Sequence, residues 1–216
     1  MKRILLSLTI GLLTAALLHA QTGTKTSSTQ STGLTDAERQ RAVEYLEQTR
    51  KDLRAAVDGL SEEQWKFKAA PERWSIAETA EHIARAEETI WQLVSEKMMK
   101  SPAAPDPEKR AATKGKDETI VKGVPDRSRK AEAPERLQPT GRWATPAETL
   151  EAFESTRGAA IAYLRETQED LRGRFEEHPF LKTMDAYQWL LFNGAHSKRH
   201  AAQILEVKAD PNFPKS

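Results

Sequence analysis

Three histidines are spaced as metal ligands are spaced: His82 in WSIAETAEHIARAEE, and His196 with His200 in NGAHSKRHAAQIL. Residues four apart on a helix share a face one turn apart, so the imidazoles of His196 and His200 can reach one divalent ion. A third imidazole from another helix completes the set, and three protein ligands leave positions open for water or substrate, the mark of a catalytic rather than a closed structural site. Taken singly, each piece also has an ordinary reading, because lone helical histidines are commonly satisfied core or surface residues and H-x-x-x-H recurs without metal. The other two histidines, His19 and His178, fall in a leader-like segment and beside Pro179 in an expected loop, and neither is counted as a ligand.

The neighbouring residue types narrow the chemistry. The chain has no cysteine, so thiolate ligands, disulfides and a cysteine nucleophile are excluded, and any metal must be held by nitrogen and oxygen. HSKRH lacks the glutamate of the H-E-x-x-H zinc-protease helix. A carboxylate-bridged di-iron site needs Glu-x-x-His pairs, but Thr79, Asn193 and Ser197 stand three before the three histidines. Glu78, one turn before His82, is the candidate to orient that imidazole or to activate water, and equally a helix-capping residue. Gln203, Trp74 and Trp189 are candidate pocket residues with equally ordinary packing roles.

Four helices must position these groups. The first opens at Thr35 with Glu38 three residues on, a capping-box pattern, and places Val43, Leu46, Leu53, Val57 and Leu60 on a seam interrupted by Arg50. The second opens at Ser75 with Glu78 and carries Ile76, Ile83, Ile90, Leu93 and Met98 until Pro102 stops it. The third opens at Thr145 with Pro146 and Glu148 and runs through Leu150, Phe153, Ala160, Leu164 and Leu171 towards Gly173. The fourth begins near Thr183 or Asp185 and reaches about Lys208, with Trp189, Asn193, His196, His200, Ile204 and Val207 facing inward. Asn193, His196 and His200 put polar groups on a face that should be buried, which a ligand or a hydrogen-bonded network must resolve. Ser197, Lys198 and Arg199 are expected to face solvent.

Between the second and third helices, residues 101–144 hold Pro102, Pro105, Pro107, Pro125, Pro134 and Pro139 among many charges and read as an irregular, partly mobile crossover. A return along a helix about 36 Å long needs some 10 to 12 extended residues, which this segment supplies easily. The other two links, about 12 to 15 residues each, suit antiparallel neighbours. The chain is therefore expected to be all-α, a four-helix bundle of up, down, down, up topology over residues 35–210. His82 lies about 10 Å from the start of its helix and His200 about 12 Å from the end of its own, so the three imidazoles meet at one level only if those helices run antiparallel.

Ahead of the bundle, Lys2 and Arg3, an apolar run from Ile4 to Leu18 and then Ala20 form a secretory leader over residues 1–20, too short to span a bilayer comfortably. Residues 21–34 are a Ser/Thr-rich tether. The expectation is a periplasmic or extracellular protein that leaves the membrane once the leader is cleaved. With 33 basic and 32 acidic side chains interspersed and no basic stripe, nucleic acid is not expected as a partner.

RWSIAETAEHIARAE and HPFLKTMDAYQWLLFNGAHSKRHAAQI together resemble the DinB-like superfamily of metal-binding four-helix bundles, in its YfiT-like branch. The resemblance implies a fold that is often dimeric and one divalent ion, zinc, nickel, iron or manganese, on the histidines matching His82, His196 and His200. It implies metal-dependent hydrolysis of a small-molecule substrate as the leading activity. Metal-dependent thiol S-transfer is the alternative enzyme, and a non-enzymatic, stress-associated metal- or ligand-binding bundle is the third reading. The leader and the long proline-rich crossover depart from the family pattern.

Overall fold

The computed structural model describes residues 33–215 apart from 104, 105, 129 and 131; the expected leader and nearly all of the tether lie outside the described residues. In chain order the elements are α1 (Asp36–Val57), the short α2 (Glu62–Lys66), α3 (Ile76–Gln92) continued by a π-helical stretch (Leu93–Met98), and α4 (Pro107–Thr113) and α5 (Lys116–Gly123) within the crossover. There follow α6 (Pro146–Glu166), an antiparallel hairpin of β1 (Phe175–His178) and β2 (Lys182–Asp185), and α7 (Ala186–Lys208).

Each long helix starts at a reciprocal capping box: Thr35 with Glu38, Ser75 with Glu78, Thr145 with Glu148 and Asp185 with Gln188. Such caps satisfy amides that the first turn leaves without partners and are each worth about 1 kcal/mol. The third helix ends at Glu166 rather than near Gly173, with Thr167 as its cap. Thr49, fully buried, fills the gap in the α1 seam that Arg50 seemed to make.

Cross-helix contacts fix the directions. Tyr187 Oη donates to the Glu38 carbonyl at 2.9 Å and Lys208 Nζ to that of Ala56 at 2.9 Å, so α1 and α7 run parallel. Arg39 donates to the Leu164 carbonyl and Arg54 pairs with Glu154 at 2.7 Å, so α6 runs opposite to α1. Glu87 meets Arg157, and the Trp91 and Tyr163 rings lie 5.6 Å apart, so α3 and α6 are parallel. The topology is up, down, down, up. One expectation is corrected: α1 and α6 are each antiparallel to the next long helix but do not neighbour it, since α1 packs on α6 and α7, and α3 on the same two. The α2 link and the β-hairpin carry the chain across the diagonals of the bundle.

The crossover is also more ordered than its prolines suggest. Gly115, in the left-handed region at φ +79°, joins α4 to α5, and Ile120 of α5 is fully buried against α7. Lys116 Nζ ties α5 to the hairpin through the carbonyls of Leu181 at 2.9 Å and Thr183 at 2.7 Å.

Two apolar clusters fill the bundle. One gathers Leu46, Ile90, Leu164, Tyr187 and Leu190, and the other gathers Leu53, Ile76, Ile83, Phe153 and Ile204. Between them lies a polar layer. Arg157 and Glu87, both fully buried, pair through two hydrogen bonds of 2.7 and 2.6 Å. Arg157 also donates to the Leu46 carbonyl at 3.0 Å, Thr49 Oγ1 at 2.7 Å and Ser197 Oγ at 2.8 Å, so one guanidinium touches all four long helices. Ser197 was expected to face solvent and instead is fully buried, because it accepts this bond.

Candidate metal centre

Antiparallel packing of α3 on α7 brings His82, His196 and His200 to one level, with one nitrogen of each within 4.8 Å of the others. Nitrogens bound to one ion at about 2.1 Å lie roughly 3.0–3.4 Å apart, depending on geometry. Nε2 of His82 and Nε2 of His196 are 3.1 Å apart, inside that range. The ring centroids are 4.5 to 4.9 Å from one another.

Two of the rings are held from behind. Nδ1 of His82 lies 2.8 Å from the Leu137 carbonyl, which can only accept, so the ring carries its proton there and offers a bare Nε2. Nδ1 of His200 lies 2.8 Å from Gln203 Oε1, which also accepts from Arg127 at 3.1 Å. The second bond identifies that amide atom as oxygen, so His200 too presents a bare Nε2. This carbonyl-backed arrangement is the usual support of a metal-ligating imidazole.

Leu137 and Arg127 both belong to the crossover, which is pinned beside the site. Glu81 accepts from the Thr140 and Gly141 amides at 2.8 Å each and is paired with Arg85 at 3.3 Å. Burial works to raise the Glu81 pKa, but the amides of Thr140, Gly141 and Arg142 outweigh it and hold the carboxylate below its ordinary value. Arg127 is fixed in turn by a bidentate pair with Glu206 at 2.6 and 2.9 Å. Of these supports only Gln203 is legible in the sequence, as a candidate pocket residue.

The imidazoles are kept neutral. Burial lowers the His82 pKa. It drives that of His196 well below the ordinary value, helped by His200 and His82, and takes His200 down to about 3, with His82 adding to the effect. Neutral imidazole is the form that binds metal. His82 is 2% exposed, while His196 and His200 keep partial exposure, which places the accessible side of the cluster towards α7. Trp74 packs on His82 at 5.0 Å and Phe192 on His196 at 5.9 Å.

Glu78, the candidate base, is placed at the start of α3. It closes the α3 capping box, with Ser75 N donating to Oε2 at 2.8 Å, while Oε1 pairs with Lys68 at 2.9 Å, so both oxygens are engaged. His178 lies at the end of β1 rather than in a loop, and its Nδ1 accepts from the Phe180 and Leu181 amides. Its ring packs on Trp189 and Phe192, which makes Trp189 part of an aromatic cluster beneath the hairpin. Asn193 is fully buried, as the seam required, yet its side chain has no hydrogen-bond partner among the described residues.

Comparison with known proteins adds three findings. Residues 45–204 match the family model of the DinB superfamily. The uncharacterized protein YuaE of Bacillus subtilis (strain 168) is 27% identical over 152 residues, covering 70% of this chain and 88% of the relative. Among solved structures, YfiT from Bacillus subtilis, described as a probable metal-dependent hydrolase with an unusual four-helix bundle topology, aligns with a TM-score of 0.56 at 17% identity. That alignment covers 84% of this chain and 91% of YfiT, and at such identity it speaks to the fold.

Proposed function

The chain belongs to the DinB superfamily, and from that footing we propose that it is a metal-dependent hydrolase whose single divalent ion is held by His82, His196 and His200. The observation that carries the reading is the 3.1 Å approach of two Nε2 atoms, with His82 and His200 each oriented by an acceptor behind the ring. When bound, a divalent ion at such a centre acidifies water and polarises a carbonyl or phosphoryl oxygen.

The protein's own groups supply position and exclusion. The Leu137 carbonyl and Gln203 hold the Nδ1 protons of His82 and His200, which keeps the opposite nitrogens free of protons and aimed together. Trp74 packs at a tilt against His82 and Phe192 against His196, which gives the site apolar neighbours. The carboxylates that α3 carries near His82 are committed elsewhere: Glu78 to the cap and Lys68, Glu81 to the crossover amides, Glu87 to Arg157. The reading therefore assigns no carboxylate base. Export to the periplasm or beyond is part of the proposal and rests on the leader-like residues 1–20.

Elemental analysis of the purified protein, followed by a panel of esters, amides and phosphoesters, tests the reading. The expected result is about one transition-metal ion per chain and a turnover lost to a chelator and restored by adding back one divalent metal. Protein that takes up no metal at neutral pH, or turnover indifferent to chelation, sinks it. Recovery from the periplasmic fraction of a chain beginning near Gln21 checks export.

A further inference from the structure

A row of rings leads from the surface to the metal centre. Phe180, 77% exposed beyond the end of β1, meets His178 at 6.1 Å between ring centroids, His178 meets Phe192 at 4.7 Å, and Phe192 meets His196 at 5.9 Å. Trp189 backs the row, 5.4 Å from His178 and 5.7 Å from Phe192. His178, Phe192 and His196 each keep partial exposure, so solvent reaches every member of the row. Behind burial and the charges of His200, His82 and Arg199, His178 adds to the causes that hold the His196 pKa down, so the two imidazoles feel each other past Phe192.

His178 holds its proton the opposite way round from the two supported ligands. Its Nδ1 accepts from the backbone amides of Phe180 at 3.2 Å and Leu181 at 3.1 Å, groups that can only donate, so the proton sits on Nε2. His82 and His200, backed by acceptors, carry theirs on Nδ1. His178 is therefore a donor and not a fourth ligand. No acceptor among the described residues meets its Nε2, and that atom is not one of the buried unpartnered ones, so the N–H is open to an incoming molecule. The turn does not need an imidazole, since an asparagine would offer the same two amides an oxygen. What the ring adds is an N–H fixed among aromatic faces, and burial, which takes its pKa down to about 4, keeps it uncharged at neutral pH.

We propose that His178 is a substrate-binding residue: its Nε2–H donates to an oxygen of a molecule that is held at the three-histidine centre and lies along the Phe192 ring. The inference rests on the metal-centre reading above and adds the substrate class. The imidazole centres of His178 and His196 are no more than about 11 Å apart, a distance that one small ligand spans. Aromatic faces favour a flat apolar group, and an uncharged N–H suits a carbonyl or ester oxygen. The substrate is an ester or amide with a flat, apolar acyl group.

The test uses the full chain loaded with cobalt(II), its metal content measured first, and follows the visible absorption of the ion during titration with benzohydroxamic acid or with azide. Benzohydroxamic acid carries a flat ring and a carbonyl, and azide has neither. His178→Phe keeps a ring in the row and removes the N–H, whereas His178→Gln gives up the ring and returns an N–H at similar reach. His178→Phe should weaken benzohydroxamate by about tenfold, leave azide within about twofold and keep the cobalt, and His178→Gln should recover most of the lost affinity. A packing role predicts the reverse order, because the phenyl fills the space better. His178→Asn, whose oxygen serves the two amides but whose nitrogen falls short of the Nε2 position, should repeat the loss if His178→Phe does not fold. Benzohydroxamate affinity unchanged by the first and third substitutions overturns the proposal, as does His178→Gln binding no better than they do, or azide falling in parallel. Cobalt protein that binds azide but not benzohydroxamate overturns this proposal alone. Protein that takes up no cobalt, or that binds neither probe once loaded, overturns the metal-centre reading and this one with it, and the metal and azide measurements identify those outcomes.

Discussion

The Arg157 layer and the histidine cluster are both polar, both draw on α3 and α7, and are separated by little more than a turn of helix, yet they are built on opposite terms. In the layer every donor of Arg157 that is described has an acceptor, Glu87 spends both oxygens, and the charges cancel. In the cluster three imidazoles converge, and the Asn193 side chain one turn away has no hydrogen-bond partner among the described residues. A saturated polar group has nothing left to offer a ligand, and an unsaturated one is stable in a fold only because its neighbours hold it there. The same two helices thus carry a fastening and a candidate metal centre side by side.

The comparison breaks most visibly at the fastening. Arg157→Ala strands the Glu87 carboxylate in the core and should cost about 3–5 kcal/mol in urea unfolding, enough to leave a marginal fold. Arg157→Met combined with Glu87→Leu removes both charges and should recover most of that loss, which the same unfolding curves would report. In the cluster the order of effects reverses: His82→Ala or His200→Ala should leave the fold standing while metal content drops from about one ion per chain to near none by elemental analysis. Support from behind counts for less. Gln203→Leu should weaken metal affinity about 10–100-fold in a competitive chelator titration, with Arg127→Ala, one bond further out, weakening it by less.

The smallest effect sharpens the contrast by pH. An unfolded imidazole takes up a proton below about pH 6.5. In the fold burial delays this to about 3 for His200, where His82 adds to the effect, and to about 4 for His178. The unfolded chain therefore binds more protons across this interval, and metal-free stability should fall as pH drops from about 6.5 towards 4. Thermal melts across that range would show it, and His178→Gln should flatten the slope without touching the metal.

The first three long helices were legible because each announces itself twice, by a capping pattern and by an apolar stripe, and the fourth was legible by its stripe alone, its Asp185–Gln188 box emerging only in the structure. The three histidines were legible because their spacing places them on inward faces. Arg157 was not, although it sits on the α6 stripe between Phe153 and Ala160, because an arginine on an apolar stripe reads as an edge residue until its partners on three other helices are known. Ser197 was misplaced for the same reason, its burial being set by a guanidinium 40 positions earlier in the chain. The supports at Leu137 and Arg127 are contacts over 55 and 76 residues, one of them through a backbone carbonyl that no side-chain pattern can signal. Prolines hid α4 and α5, whose short runs bury little beyond Thr113 and Ile120.

Because the strap between α3 and α6 supplies the Leu137 carbonyl behind His82 and the Arg127 donor behind Gln203, a single protease nick within it should weaken metal uptake while leaving the four main helices intact. Ion affinity and survival of the scaffold would then part company in one cleaved molecule. A lineage could likewise retune its preferred ion by editing that strap alone, with every ligand and every core residue left as it is.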